Sequence, residues 1–221
     1  MIKAVLFDMD GILFDSEQFY YEGNLKTLRE LGYQGEGKEL LRGVGCTLDK
    51  IFELYYELLE YQVPIETIRQ TNDAYYEKNP INYKELMFDG VEEVLKKLKE
   101  KKILVACCSS SPYTQILDGL KQMGIESYFD YIESAEKVKH PKPAADIYLD
   151  AIHHLQVKPE ECVVYEDSDY GIMAGKKAGT KVLAREDKRF GQSQKEADVI
   201  VKDVYELYDW IERNMEYAGS N

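Results

Sequence analysis

The spacing of hydrophobic and polar residues changes twice along the chain, and these changes divide it into segments. Residues 2–7 (IKAVLF) are almost all apolar, which is typical of a strand buried on both faces of a parallel sheet. From Ser16 the apolar residues recur with helical spacing, and no convincing strand appears before about residue 85. The segment 16–85 is therefore predicted to be helical.

Three amphipathic helices are predicted within this segment. The first begins at Ser16 and ends at Gly32, where the glycine interrupts the periodic pattern. The second follows Thr47, a residue type that caps helix N-termini. The third begins with Pro64, which is favoured in the first helical turn.

From residue 86 onwards, strand-like and helix-like segments alternate. Strands are predicted at residues 103–109, 131–135, 162–167, 181–184 and 197–201, with helices between them and a last helix from about Val204. Such alternation indicates a parallel sheet with helices on both faces. The sequence predicts an α/β protein with a Rossmann-like core, formed by residues 1–15 and 86–221, and an inserted helical domain at 16–85.

The net charge and the length of the apolar runs limit the expected binding partners and the expected cellular compartment. The 221 residues carry 41 acidic and 28 basic side chains, which gives a net charge of −13. Nucleic acids and anionic membranes are bound through clustered Lys and Arg, so neither is an expected partner. No apolar run approaches the ~20 residues of a membrane helix, and the N-terminal run, broken by Asp8 and Asp10, is too short for a signal peptide. We expect a cytoplasmic protein.

Polar side chains are predicted to converge where ligands bind to parallel sheets, beyond the carboxyl ends of the strands. The set consists of Asp8 and Asp10 after the first strand, Ser109, Ser110 and Ser111 after the second, Lys142 before a helix, and Glu166 and Asp167 after a later strand. Four separate stretches thus bring carboxylates, hydroxyls and one ammonium group to the same edge. We take this edge as the candidate functional site.

The four acids of this set indicate a bound cation. Carboxylates in one crevice raise each other's pKa unless a positive charge neutralises them. An oxygen-only donor set favours a hard ion, and Mg²⁺ fits best because it binds carboxylates, water and substrate phosphate. A calcium loop of the EF-hand type is excluded, because Ile12, Leu13 and Phe19 occupy its required ligand and glycine positions.

This combination of groups suits phosphoryl transfer. A carboxylate can attack phosphorus and form an aspartyl-phosphate. Mg²⁺, Lys142, Ser109 and loop amides would balance the negative charge that spreads over three phosphoryl oxygens in the transition state. A second carboxylate can protonate the leaving oxygen and later activate water.

Four motifs, in this order along the chain, resemble those of the haloacid dehalogenase-like phosphohydrolases. They are DMDGILFDS from Asp8, a serine after a central strand (Ser109), KPAAD from Lys142 and EDSDYG from Glu166. The resemblance spans essentially the whole chain. It implies that Asp8 is the nucleophile and that Asp10 is the general acid and base.

The same resemblance implies further site residues. Ser109 and Lys142 would hold the phosphoryl group, with Ser110 also at the substrate. Mg²⁺ would be held by a set of four acids, namely Asp8, Asp10 through its backbone carbonyl, Glu166 and Asp167. Two positions depart from the family pattern around Lys142: Pro141 replaces a common glycine, and Ala145 replaces the second proline of K-P-x-P-D. Because Lys142 is retained, we expect little loss of function from Ala145; the effect of Pro141 on the loop is left open.

The helical insert resembles the cap domain of this family, which closes over the substrate and excludes water. The segment LRGVG is similar to a cap segment that contacts substrate, so Arg42 is expected to bind the leaving group. Tyr20 occupies the position at which related mutases carry a histidine, and it is expected to contact substrate.

Three functions are compatible with the motifs. A phosphatase acting on a small phosphorylated metabolite, a sugar or polyol phosphate, is favoured. A β-phosphoglucomutase-type isomerase is the alternative, because the opening MIKAVLFDMDG and the cap layout resemble it; the absence of histidine between Ile2 and Asn79, and Pro112 in place of a lysine, argue for hydrolysis. An inactive metal-binding interaction protein is the third, and the retention of every motif element argues against it.

Overall fold

A computed structural model of the protein describes residues 1–44, 48–191 and 193–216. The chain divides into two compact units. The first comprises Met1–Asp15, Tyr83–Asp187 and Gln192–Asn221, and the second comprises Ser16–Asn82 and Lys188–Gly191. The predicted N-cap Thr47 lies outside the described residues.

The first unit is built on one parallel sheet. Its strands are β1 (Ala4–Phe7), β2 (Leu104–Ser109), β3 (Tyr131–Ser134), β4 (Cys162–Glu166), β5 (Lys181–Arg185) and β6 (Val199–Val201). They are arranged in the order β3-β2-β1-β4-β5-β6, and every neighbouring pair is parallel. The central strands β1 and β4 are buried along their whole length, which explains the apolar run of β1 and that of β4 up to Tyr165. The predicted α/β, Rossmann-like fold is confirmed.

Helices surround the sheet and make up most of the second unit. They are α1 (Ser16–Glu30), α2 (Leu48–Leu58), α3 (Ile65–Lys78), α4 (Tyr83–Leu86), α5 (Val91–Glu100), α6 (Tyr113–Met123), α7 (Asp146–His154), α8 (Asp169–Lys177) and α9 (Val204–Glu216). None of the described helices is long and apolar enough to cross a membrane.

The second unit packs α1, α2 and α3 around its own apolar cluster. Buried side chains from all three helices meet there, among them Leu28, Phe52, Tyr55 and Ile68. The apolar face that the helical periodicity predicted is thus the face that each helix buries against its neighbours.

The observed division differs from the predicted one at two places. The predicted boundary at residue 85 falls inside α4, where Tyr83 packs edge-on against Phe14 at 4.9 Å and accepts a hydrogen bond from Gln115 at 3.1 Å, both in the first unit. Residues 188–191 belong to the second unit, where Phe190 packs against Tyr21 at 6.1 Å. Neither contact produces a periodic pattern in the sequence.

Candidate active site

The carboxyl ends of β1, β2 and β4 meet at one edge of the sheet. Phe7, the last residue of β1, pairs with Tyr165 of β4. Asp8 follows directly, and its amide donates to the carbonyl of Tyr165 at 3.0 Å. Ser109 is the last residue of β2 and Glu166 is the last residue of β4. Parallel register therefore brings three of the predicted side chains to one edge.

Lys142, in the segment before α7, is a buried cation at this edge. Its Nζ lies 2.5 Å from Oδ1 of Asp8 and 2.7 Å from Oε1 of Glu166, and it donates to the carbonyl of Cys108 at 3.0 Å. The side chains of Lys142, Asp8 and Glu166 are only 6%, 10% and 0% exposed. Because water is largely excluded, their attraction is screened far less than that of a surface ion pair.

Both carboxylate oxygens of Glu166 are occupied by protein donors. Oε1 accepts from Lys142 and from the hydroxyl of Tyr148 at 2.8 Å. Oε2 accepts from the amides of Asp167 and Ser168 at 3.0 and 3.2 Å, and from the Ser168 hydroxyl at 3.0 Å. Burial opposes ionisation, but the charge of Lys142 and these hydrogen bonds outweigh it, so the pKa of Glu166 is lowered.

The electrostatic environment of Asp8 is different. Burial raises the pKa of Asp8 to about 8; Lys142 opposes this shift, whereas Glu166 and Asp10 add to it. A second cation beside Asp8 would favour its ionised form, the form that can act as a nucleophile.

Two glycines of the predicted motifs make room for the carboxylates. Gly11 has a positive φ of 70°, and a Cβ there would overlap the carboxylate of Asp167. A Cβ at Gly171 would overlap the carboxylate of Glu166. Gly11 of D-x-D-G thus makes room for Asp167 of the second motif, and Gly171 of E-D-S-x-x-G makes room for Glu166 of its own motif. A side chain at either glycine would displace one of these acids.

Three carboxylates form a cluster whose chemistry fits a metal ion. Asp8, Glu166 and Asp167 each offer one oxygen, and these atoms lie within 4.8 Å of one another. All three residues are buried and the donor set contains only oxygen, which suits a hard divalent cation. The Asp10 carboxylate is not one of the three, and its predicted contribution is through the backbone carbonyl.

Ser111, which follows β2, contacts Asp10. Oδ2 of Asp10 accepts a hydrogen bond from the hydroxyl of Ser111 at 3.1 Å. Ser109 is fully buried, and its Oγ accepts from the amide of Ser111 at 3.1 Å. Ser110 is exposed. Phosphoryl binding by Ser109 and Ser110 stays a prediction.

The departures from the family pattern leave Lys142 beside Asp8. In the loop that carries it, the amide of Ala144 donates to the carbonyl of Pro141 at 3.0 Å. Lys177 of α8 donates to the carbonyl of Pro143 at 2.8 Å. The loop is therefore stabilised by a hydrogen bond within itself and by one from helix α8.

The two predicted residues of the helical insert lie in the second unit. Arg42 forms a two-point ion pair with Glu57, at 2.9 and 3.1 Å. Tyr20 stacks edge-on with Phe19 and Tyr76 and lines a cavity of about 390 Å³ within this unit. Substrate contact by Tyr20 and Arg42 stays a prediction.

Three residues of the site were missed by sequence reasoning. Tyr148 of α7 donates to Glu166, and its position fits an ordinary buried face of an amphipathic helix. Arg185, at the end of β5, donates to the carbonyl of Gly11 at 3.2 Å. Gln194 lies in a polar loop after β5 and donates to the carbonyl of Asp167 at 2.9 Å. No motif or periodicity marks the last two.

Comparison with known proteins identifies the family. The model of the haloacid dehalogenase-like hydrolases matches residues 5–185. The chain belongs to the haloacid dehalogenase-like hydrolases. The family resemblance inferred from the four motifs is thereby confirmed.

Curated relatives in this hydrolase family include phosphatases. The phosphorylated carbohydrates phosphatase of Thermotoga maritima is 33% identical over 180 residues, covering 80% of this chain and 82% of the relative. Hexitol phosphatase B of Escherichia coli is 31% identical over 202 residues, covering 86% and 88%. The crystal structure of a Thermotoga maritima protein provisionally named beta-phosphoglucomutase superposes with a TM-score of 0.80 at 28% identity, covering 96% and 99%.

Proposed function

We propose that this hydrolase is a Mg²⁺-dependent phosphatase that hydrolyses a small sugar or polyol phosphate through an aspartyl-phosphate at Asp8. The observation that carries the proposal is the buried contact of Asp8 with Lys142, beside the carboxylates of Glu166 and Asp167. Relatives named as phosphatases of phosphorylated carbohydrates and of hexitols support the substrate class.

In the first step Asp8 attacks phosphorus through the carboxylate oxygen other than Oδ1, the atom that contacts Lys142. A new O–P bond forms on Asp8 while the bond from phosphorus to the substrate oxygen breaks. Asp10 gives its proton to that oxygen, which leaves as a neutral alcohol. The ammonium group of Lys142, fixed between Asp8 and Glu166, offsets the negative charge that arrives with the phosphoryl group.

In the second step Asp10, now a carboxylate, takes a proton from water. The resulting hydroxide attacks phosphorus, the acyl phosphate bond breaks, and Asp8 returns to its carboxylate form while inorganic phosphate leaves. Ser111, which donates to Asp10 at 3.1 Å, orients the carboxylate for both proton transfers.

Asp8 and Asp167 would hold the metal ion directly, together with the backbone carbonyl of Asp10. Glu166, whose two oxygens already accept from protein donors, would help by adding negative charge beside them. Bound Mg²⁺ supplies positive charge against the phosphoryl oxygens. We further propose that the helical unit acts as the cap domain, with Tyr20 and Arg42 as its substrate-binding residues.

Removal of divalent metal is expected to abolish turnover. After dialysis against EDTA, the rate of phosphate release should fall at least about a hundredfold, because metal stabilisation of the transition state is worth several kcal/mol. Added Mg²⁺ should restore the rate, whereas a monovalent salt at equal ionic strength should not. Circular dichroism of the stripped protein serves as the folding control, and an unchanged rate in EDTA would remove the metal from the mechanism.

The mutase alternative is supported by the superposition with the provisionally named beta-phosphoglucomutase. It predicts a different product from the same substrate. We expect that β-glucose 1-phosphate, if it is used, yields inorganic phosphate and glucose rather than glucose 6-phosphate. All three histidines (His140, His153 and His154) lie in the first unit. The family resemblance implies that Tyr20 takes the position at which related mutases carry a histidine, which favours hydrolysis.

The two outcomes are separated by assaying both products in one reaction. Phosphate release is measured by a colorimetric assay and glucose 6-phosphate by a coupled dehydrogenase. A hexitol phosphate serves as a substrate that only hydrolysis can consume. Efficient formation of glucose 6-phosphate would favour the mutase and reject the phosphatase assignment.

A further inference from the structure

A buried glutamine links two loops of the candidate active site. Gln194 is 7% exposed, and its Nε2 donates to the carbonyl of Asp167 at 2.9 Å and to the carbonyl of Arg185. A side-chain amide carries two N–H donors, and here each has an acceptor. Leaving either carbonyl without a partner in a buried loop would cost free energy, so this bridge constrains both loops.

The two loops carry groups that matter for the metal cluster. Asp167 directly follows β4, and Arg185 is the last residue of β5. The guanidinium of Arg185 donates to the carbonyl of Gly11 at 3.2 Å and lies 3.9 Å from the ring centre of Phe88. One amide and one guanidinium thus tie together the chain segments that follow β1, β4 and β5.

The position of the Asp167 carboxylate depends on how these segments are spaced. It rests against Gly11 so closely that a Cβ there would overlap it. Gln194 holds Asp167 by its backbone, and Arg185 holds Gly11 by its backbone. A shift of either segment would therefore change the separation between the carboxylates of Asp167 and Asp8.

We propose that Gln194 is a positioning residue of the metal site, which fixes the loop of Asp167 so that the Asp8 and Asp167 carboxylates are pre-arranged for a divalent cation. The proposal rests on the proposed function, because it concerns the same cluster. Groups that orient metal ligands typically change metal affinity about 10- to 100-fold when they are removed.

The alternative is that Gln194 only satisfies buried carbonyls and so contributes only to stability. Thr180 offers a matched control for that role in the same unit. It is also 7% exposed, and its hydroxyl donates to the carbonyl of Gly175 at 2.9 Å, before the start of β5 and therefore away from the carboxyl edge of the sheet. Thr180→Val removes a comparable buried hydrogen bond without touching the site.

The test measures metal binding directly, without substrate. Mn²⁺ serves as the probe, and free Mn²⁺ is measured by electron paramagnetic resonance during titration of the metal-free protein. We expect Gln194→Met to weaken Mn²⁺ binding about tenfold or more. Gln194→Asn keeps an amide on a side chain one methylene shorter, so it should reach one carbonyl at most and show an intermediate loss. Thr180→Val should lower the melting temperature and leave Mn²⁺ affinity unchanged.

Phosphate release provides a second measurement, in which the Gln194 variants should rank in the same order as in Mn²⁺ binding. The Mg²⁺ concentration for half-maximal phosphate release should rise in Gln194→Met, while kcat at saturating Mg²⁺ should approach that of the wild type. Wild-type Mn²⁺ affinity in both Gln194 variants would overturn the role of Gln194 alone. Failure of the wild-type protein to bind Mn²⁺ would reject the metal site and, with it, this role. Loss of folding in both variants would assign Gln194 to stability and also overturn the proposal.

Discussion

Asp8→Asn is expected to lower kcat for phosphate release at least about a thousandfold, because an amide cannot take the place of the attacking carboxylate. Every later event depends on the bond between phosphorus and this side chain, so no other group in the site compensates. The side chain keeps nearly the same shape. The substitution removes one carboxylate from the buried cluster, but Lys142 keeps Glu166 as its counter-charge and the amide oxygen can still accept from Lys142, so we expect the variant to fold with a stability close to that of the wild type.

The measurement is steady-state phosphate release at saturating Mg²⁺ and substrate, together with thermal unfolding. Asp118→Asn is the matched control, because Asp118 lies exposed on α6 and bonds only to Gln122 of its own helix among the contacts described, at 2.7 Å. That variant should retain the wild-type rate. Normal turnover by Asp8→Asn would rule out Asp8 as the nucleophile, and equal loss in Asp118→Asn would show that the assay does not report on the site.

Lys142→Met is expected to damage both activity and stability. Lys142 is the buried cation that contacts Asp8 and Glu166, so its loss leaves the carboxylate of Glu166 buried without a counter-charge. Breaking a buried ion pair from one side typically costs about 3–5 kcal/mol of stability. The phosphoryl group also loses a charged donor, and we expect kcat to fall about a thousandfold.

The two effects are separated by a second substitution. In Lys142→Met with Glu166→Gln, the fully buried charge of Glu166 is removed together with its counter-charge, so part of the lost stability should return while activity stays low. Urea unfolding of the metal-free proteins and phosphate release at saturating Mg²⁺ measure the two quantities. Lys121→Met, at an exposed lysine on α6, is the control and should change neither. Wild-type kcat in Lys142→Met would exclude Lys142 from phosphoryl binding, and unchanged stability would contradict the buried ion cluster.

Much of the fold followed from periodicity. Strands β1 and β4 are buried along their whole length, and a strand buried on both faces requires a nearly continuous apolar run, which in β4 ends at Glu166. The end of the helical insert was harder to locate. Four-residue α4 packs through Tyr83 against Phe14, and so short a helix has no period to read.

The residues of the candidate site that belong to sequence motifs could be predicted. Asp8, Lys142, Glu166 and Asp167 meet at one edge because each adjoins a parallel strand or the loop beside it, and parallel register aligns those ends. Their catalytic roles are proposals that the substitutions above test. Gly11 and Gly171 are part of the same motifs, and the structure gives the reason: each leaves the space that a carboxylate occupies.

By itself, the amino-acid sequence determined the order of the strands and of the longer helices, the family, and the acids and lysine brought to the carboxyl edge. These features depend on local periodicity and on spacing within short motifs. Only the tertiary structure decided that Tyr148 bonds Glu166, that Arg185 reaches Gly11 and that Gln194 spans Asp167 and Arg185. The physical reason is that these contacts join distant parts of the chain through single side chains. A lone polar residue in a loop or on a helix face leaves no repeating pattern, and its partner is set only when the sheet brings both together.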